Sequence, residues 1–252
     1  MFVDEIYVGT IPNLHALGDA IVWNPIIHKY AEQCNTLYYA SSKHNFETLT
    51  CLYQDYKNIV VLEGKEYEEK RQATQQYGAW DPSYMHLKWV PLNALNISFF
   101  LCNTNWERQT YEHFDLPYSV RYTGFKLPKH IEGSKELYEK LTDGCTDYAV
   151  VNRYIGHFHE RIPYNIDHIT KGLKVIEITP FMTKNMLQFM DLFRNAKQIH
   201  TPGTSTFCLL ETLKNELSAE LYFHNVRRNY VSFIDYKRWV TVTYDEQFRT
   251  DM

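Results

Sequence analysis

Residues 36–64 read TLYYASSKHNFETLTCLYQDYKNIVVLEG, and their order decides the fold class. TLYYAS (36–41) and NIVVLEG (58–64) are short runs of β-branched, aromatic and aliphatic residues, the composition of strands. FETLTCLYQDY (46–56) between them spaces its apolar residues as a helix does when one face is buried. Strand, helix, strand at this spacing predicts parallel strands joined by a crossover helix. The alternation continues upstream. Phe2 to Thr10 mixes Val, Ile and Tyr and reads as a strand, followed by a loop marked by Pro12, Asn13 and Gly18. AIVWNPIIHKYAEQC (20–34) then has helical spacing, with Asp19 placed as its N-cap. Pro25 predicts that this helix starts late or is kinked.

The middle is less regular. EYEEKRQATQQYG (66–78) reads as a charged surface helix and NTNWERQTYEHF (103–114) as another helix, while LPYSVRYTGFKLP (116–128) is rich in turn formers and aromatics. HIEGSKELYEKLTDGCTD (130–147) is polar enough to hold a linker and a bridging helix. A second alternating series follows: strands at DYAVV (147–151) and KVIEIT (174–179), and an amphipathic helix over FMTKNMLQFMDLFRNA (181–196). A strand at QIHTP (198–202), a helix at TSTFCLLETLKNE (204–216) and a last strand at ELYFHNV (220–226) complete it. Met182, Met186, Phe189, Met190 and Phe193 read as core packing. The chain is thus expected to hold two α/β units in tandem, over residues 1–130 and 145–252.

Composition narrows the function classes. The 252 residues carry 26 Lys plus Arg against 30 Asp plus Glu, a net charge of −4, which argues against nucleic acid or an anionic membrane as the main partner. No apolar run approaches the roughly 20 residues of a membrane-spanning helix. The start, MFVDEIYVGT, lacks the basic and apolar regions of a signal peptide, so a cytoplasmic protein is expected. Cys34, Cys51, Cys102, Cys145 and Cys208 are odd in number and scattered; they read as free thiols, not as a zinc site or disulfide framework.

Parallel sheets bind ligands where strand ends lead into helices, and three such loops carry candidate chemistry. In NLHALGDA (13–20), Gly18 permits close approach of a ligand, and Asp19 is either a helix cap or a general base, with His15 as the rival base. In NRYIGHFHERIP (152–163), Arg153 and Arg161 could clamp a phosphate through bidentate hydrogen bonds or simply form ion pairs. His157 and His159 in the same loop read as surface histidines. In HTPGTSTFCLLETL (200–213), Pro202 and Gly203 make a turn, and Thr204, Ser205 and Thr206 offer hydroxyls and backbone N–H groups at a helix start, where phosphate is attracted. Neither G-x-G-x-x-G nor G-x-x-x-x-G-K-[ST] is present, which weakens a nicotinamide, flavin or P-loop reading. Trp80, Tyr84, Trp89 and Trp106 could stack on sugar rings, although core packing is the commoner use of such residues.

ALGDAIVWNPII (16–27) resembles the N-terminal Gly-Asp loop and helix of the heptosyltransferase-like glycosyltransferases. HTPGTSTFCLLETL is similar to their C-terminal Asp-Ser/Thr-Gly-x-x-His loop, and VVNRYIGHFHERIP to the strand and basic loop that open their donor domain. Thr201 stands where the family usually has Asp, Thr206 where it often has His, and Arg161 near its usual Lys. The resemblance implies a GT-B architecture, two Rossmann-like domains facing across a cleft, with the acceptor side first and the nucleotide-sugar donor side second. It also implies an inverting transfer from a nucleotide sugar to a hydroxyl of a glycan or other acceptor. Asp19 would be the base, and Gly18, Arg153, Arg161, Gly203, Thr204, Ser205 and Thr206 would hold the donor. No metal or other cofactor is expected, and no Asp-x-Asp pair is present to hold a metal. A nucleotide-sugar epimerase of the same architecture and an inactive carbohydrate-binding protein are the alternatives.

Overall fold

The computed structural model describes residues 3–8, 16–74, 88–90, 94–97, 106–155, 160–162, 164–226 and 238–244. The chain divides into two compact units, Met1–Lys129 and His130–Met252. Each is of the α/β class and is built on its own five-stranded sheet.

In the first unit, β1 (Val3–Val8), α1 (Leu17–Ala31), β2 (Cys34–Ser41), α2 (Phe46–Tyr53) and β3 (Ile59–Glu63) follow the expected alternation. They are followed by α3 (Gly64–Thr74), β4 (Lys88–Val90), β5 (Ala94–Ile97), α4 (Trp106–His113) and α5 (Val120–Thr123). The sheet order is β3-β2-β1-β5-β4, parallel except for β4, which forms an antiparallel pair with β5. That pair has no counterpart in the sequence reading. Because β1 leads to β2 on one side and pairs with β5 on the other, the carboxyl ends of β1 and β5 form a topological switch point. The loop into α1 leaves from there.

Helix α1 is buried almost all round: Ile21, Val22, Trp23, Ile26 and Ile27 are fully enclosed. It runs unbroken through Pro25, contrary to the expected late start. Pro25 has no N–H to give to the carbonyl one turn back. Contacts with the following segment hold this stretch instead: the Tyr111 hydroxyl donates to the Val22 carbonyl at 2.7 Å, and the Lys126 N–H donates to Asn24 Oδ1 at 3.0 Å.

The second unit contains α6 (Ser134–Thr142), β6 (Tyr148–Asn152), β7 (Tyr154–Ile155), β8 (Glu160–Arg161) and β9 (Lys174–Ile178). A 3-10 turn over Met186–Phe189 leads into α7 (Met190–Asn195), β10 (Gln198–Pro202), α8 (Ser205–Leu213), β11 (Glu220–Asn225) and β12 (Trp239–Thr243). The sheet order is β12-β11-β10-β6-β9, all parallel. Its switch point lies between β6 and β10, whose onward connections run to opposite sides.

Three details correct the sequence reading. Helix α6 is not a linker: Asp191 N–H donates to Ser134 Oγ and Lys174 Nζ to the Thr142 carbonyl, so it belongs to the second unit. The helix expected from residue 181 starts at 186, where Asn185 caps it by accepting from Leu187 N–H at 3.0 Å. Phe189, Met190 and Phe193 are buried as expected, but Met182 lies outside the helix and is exposed, as is Phe181. Strand β12, missed in the sequence, pairs with β11 along its whole length.

Among the described residues, no helix is long and apolar enough to cross a membrane. Cys34, Cys51, Cys145 and Cys208 are free thiols, and Cys102 lies outside the described residues.

Candidate active site

In the first unit the candidate group is Asp19. The helix begins at Leu17 with Ala16 as its N-cap, so Asp19 is the third helical residue and not the cap itself. Its Oδ2 accepts from the Ala16 backbone N–H at 3.2 Å, half of the reciprocal arrangement by which such residues close a helix start. Ala16 has no side-chain acceptor to complete it. Asp19 and Gly18 are both buried. Burial raises the Asp19 carboxyl to about 7, against the smaller lowering from the Ala16 hydrogen bond. A carboxylate that exchanges its proton near neutral pH is suited to general-base work. His15, the rival base, lies outside the described residues, as do Trp80 and Tyr84. Trp89 and Trp106 fall on described backbone, with their side chains outside the description.

In the second unit the candidate residues fall in two groups at the carboxyl edge of the sheet, one at the β6/β10 switch point and one beside β9. Asn152, the last residue of β6, joins the second and third loops. Its Nδ2 donates to Thr204 Oγ1 at 3.2 Å and Thr206 Oγ1 at 3.1 Å, while its Oδ1 accepts from Tyr154 N–H at 2.9 Å. Thr204 is the N-cap residue of α8, and its hydroxyl lies 3.3 Å from that of Thr201. Gly203 and Ser205 complete the turn into the helix. The loop residues 200–206 are therefore fastened to β6, with the free N–H groups of α8 at the same edge.

Arg153 and Arg161 are brought together by the short β7–β8 hairpin, in which Tyr154 pairs with Arg161. Both bind one carboxylate that the sequence reading missed. Glu177 on β9 accepts from Arg153 Nη1 at 2.8 Å and from Arg161 Nε and Nη2 at 2.6 and 2.9 Å. These hydrogen bonds, that from Arg161 first, hold the Glu177 carboxyl below its usual range despite its partial burial. The edge of Arg161 expected to grip a phosphate is thus engaged with Glu177, and Nη1 stands outside these bonds. His157 and His159 lie outside the described residues.

Behind the arginines sits a buried polar chain, also missed. His200 and His224 are fully buried, with His200 Nδ1 3.0 Å from His224 Nε2. His200 Nε2 meets Gln198 Oε1 at 3.4 Å, and His224 Nδ1 meets the Tyr244 hydroxyl. The Gln198 amide is oriented by its own N–H, which donates to Glu220. An amide oxygen only accepts, so His200 carries its proton on Nε2, His224 donates from Nε2, and the Tyr244 hydroxyl donates to His224 Nδ1. Tyr164 stacks on His224 at 4.1 Å, donates its hydroxyl to the Asn152 carbonyl and lies 5.4 Å from the Arg153 guanidinium. Arg153 therefore stands on an aromatic support fixed from below.

Among the described residues, no group of three His, Cys, Asp or Glu side chains is arranged to hold a metal ion.

No family model and no curated protein matches the sequence. Solved structures do match. A family 9 glycosyl transferase from Veillonella parvula aligns over 99% of this chain and 90% of its own, at 10% identity and a TM-score of 0.52. The chain has this glycosyltransferase fold. Weaker likenesses are to the iron-containing dodecameric glycosyltransferase TibC of enterotoxigenic E. coli and to E. coli heptosyltransferase WaaC with ADP. For TibC the TM-score is 0.49 and the identity 12%, over 88% of this chain and 58% of TibC. For WaaC it is 0.44 at 10% identity, over 95% of this chain and 93% of that one. Within the glycosyltransferase fold, the residues at the two switch points carry the chemical argument for this chain.

Proposed function

We propose that this chain is a cytoplasmic glycosyltransferase that moves a sugar from a nucleotide sugar to an acceptor hydroxyl. In this reading the first unit receives the acceptor and the second holds the donor. One observation carries it above all. At the carboxyl edge of the second sheet, Asn152 ties the end of β6 to the start of α8, and the residues that follow it carry two arginines held on Glu177 of β9. Cations and backbone N–H groups fixed in place before reaction stabilise negative charge developing on a leaving group. A departing nucleoside diphosphate develops such charge, and Arg153, Arg161 and the N–H groups of Gly203 to Thr206 are the groups to receive it. With that charge met by protein donors, the transfer proceeds without a metal. Asp19 takes the proton of the acceptor hydroxyl as its oxygen attacks the anomeric carbon from the face opposite the diphosphate, which inverts the configuration.

Glu177 has a definite part in this scheme. By holding one edge of Arg161 and Nη1 of Arg153 it fixes both arginines before a ligand arrives and offsets one of their two charges. The site is therefore less cationic than two arginines suggest.

Two measurements test the proposal. Thermal-shift screening against ADP, UDP and GDP should give a hit, since a ligand at 100 times its Kd adds roughly 2.7 kcal/mol of stability. Arg161→Ala should then weaken binding of that diphosphate by about 1.5–3 kcal/mol, the worth of a charged hydrogen bond. Parental affinity in a folded Arg161→Ala protein would remove it from the site. Turnover of the nucleotide sugar to an isomer without any acceptor would instead identify an epimerase, and binding without turnover across an acceptor panel a binding protein.

A further inference from the structure

We infer that Phe181 is the platform on which the nucleobase of the donor stacks. The inference rests on the reading that the β6/β10 edge takes a nucleoside diphosphate, and it names where the rest of that molecule lies. Phe181 follows the carboxyl end of β9 by three residues, on the same edge as Arg153 and the start of α8. It is 76% exposed, in contrast to Phe189 and Phe193 a few residues later, which are buried. An ordered turn holds it there: Phe181 N–H donates to Thr179 Oγ1 at 3.4 Å and Met182 N–H to the Thr179 carbonyl at 3.2 Å. Its ring meets that of Tyr154 edge-on, with centroids 6.3 Å apart and planes at 87°. Tyr154 is the strand partner of Arg161. The ring is therefore attached to the arginine cluster.

The sheet order sets the direction and distance. From β10, which leads into α8, the strands run to β6 and then to β9. Two strand spacings cover about 10 Å, comparable to the reach of an extended nucleoside diphosphate from terminal phosphate to base. With the diphosphate at the start of α8 and beside the arginines, the ribose crosses β6 and the base arrives over β9. An exposed ring at that point supplies what a base needs, a flat apolar face beside a polar rim. Met182, 40% exposed next to it, extends the apolar surface with a polarisable thioether. Stacking accepts any base, but a purine covers more of the ring than a pyrimidine, so Phe181 favours ADP or GDP over UDP.

The test compares binding of ADP, UDP and inorganic pyrophosphate by calorimetry to the parent, Phe181→Ala and Phe181→Trp proteins. Phe181→Ala should weaken ADP binding by about tenfold or more, weaken UDP binding less, and leave pyrophosphate binding unchanged. Phe181→Trp should retain ADP binding, and ADP should quench the fluorescence that the new indole adds to the parent signal. ADP affinity unchanged in Phe181→Ala, or equal losses for ADP and pyrophosphate, would overturn the assignment. A parent protein that binds pyrophosphate but gains nothing from the nucleoside would overturn it while leaving the phosphate site standing. A parent that binds neither would overturn the donor-edge reading and the base platform together.

Discussion

Asp19→Asn is expected to abolish most transfer activity, by about 10²–10⁴-fold, while leaving the protein folded and able to bind nucleoside diphosphate. The substitution preserves the geometry: an Asn oxygen in place of Oδ2 still accepts from the Ala16 N–H. It removes the ionisable group whose burial raises it from 3.8 to about 7. A carboxyl raised in the folded state binds its proton more tightly there than in the unfolded chain. Its contribution to stability is therefore fully present below pH 3.8 and is lost as pH rises through 7. The loss is roughly 4 kcal/mol, because each tenfold difference in proton affinity between the two states is worth about 1.36 kcal/mol. Asn carries no such penalty, so at pH 8 the variant should melt at or above the parent temperature. The parent kcat/KM should rise with pH through a midpoint near 7, and the residual activity of the variant should lack that limb. Full transfer by a folded Asp19→Asn protein would leave Asp19 a helix-start residue only and pass the role to His15.

A large loss of stability is expected from Glu211→Ala in α8. Glu211 is fully buried; its Oε2 accepts from Trp239 Nε1 at 2.6 Å and its Oε1 from Lys214 Nζ at 2.7 Å. Lys214 is itself buried. Truncating the carboxylate takes from the enclosed ammonium its 2.7 Å partner and from the indole N–H its acceptor. Removing one member of a buried pair costs about 3–5 kcal/mol, a large share of the roughly 5–15 kcal/mol that holds a typical protein folded. Urea denaturation should show this loss, and Glu211→Gln, which keeps the acceptor for Trp239, should show less. A loss under about 1 kcal/mol in the Ala variant would mean that this pair is energetically no different from a surface one.

The α/β alternation was legible because crossover helices and buried parallel strands impose different periods on neighbouring segments. Strands β4, β5 and β12 escaped because runs of three to five residues are too short to show a period. Asp19 invites the cap assignment as the only acidic side chain near the helix start, whereas the helix begins behind it on Ala16, which signals nothing. Phe181 and Met182 fit the helical spacing of the residues that follow, and only the Asn185 cap shows that they stand outside. Arg153, Arg161 and the 203–206 turn were visible as types in loops. Glu177 was not, because its pairing depends on the register that sets Val151 beside it across two parallel strands. Asn152 was hidden for the same reason: its partners lie more than fifty residues away.

The direction of the Gln198–His200–His224–Tyr244 chain has a consequence for how the two units respond to acid. Burial, and then the charge of Arg153, lowers His200 to about 4; burial, then His200 and Arg153, lowers His224 to about 3, with only Glu220 pulling His200 the other way. Both rings stay neutral through the range in which Asp19 gains or loses its proton. Between about pH 5.5 and 8, these rings should therefore add no pH dependence to nucleoside diphosphate affinity, which should follow only the second proton of the terminal phosphate itself, and calorimetry across that range would check it. Because these histidines bind protons more readily in the unfolded chain, their cost to stability grows only as pH falls below 6.5 and towards 3. The second unit would thus loosen on the acid side. In the first, protonation relieves Asp19 of its buried charge, but His28 of α1, lowered to about 4 by burial and then Lys126, carries the same acid-side cost. The fall in pH that first protonates Asp19 at one switch point comes, further down, to threaten the support beneath Arg153 at the other.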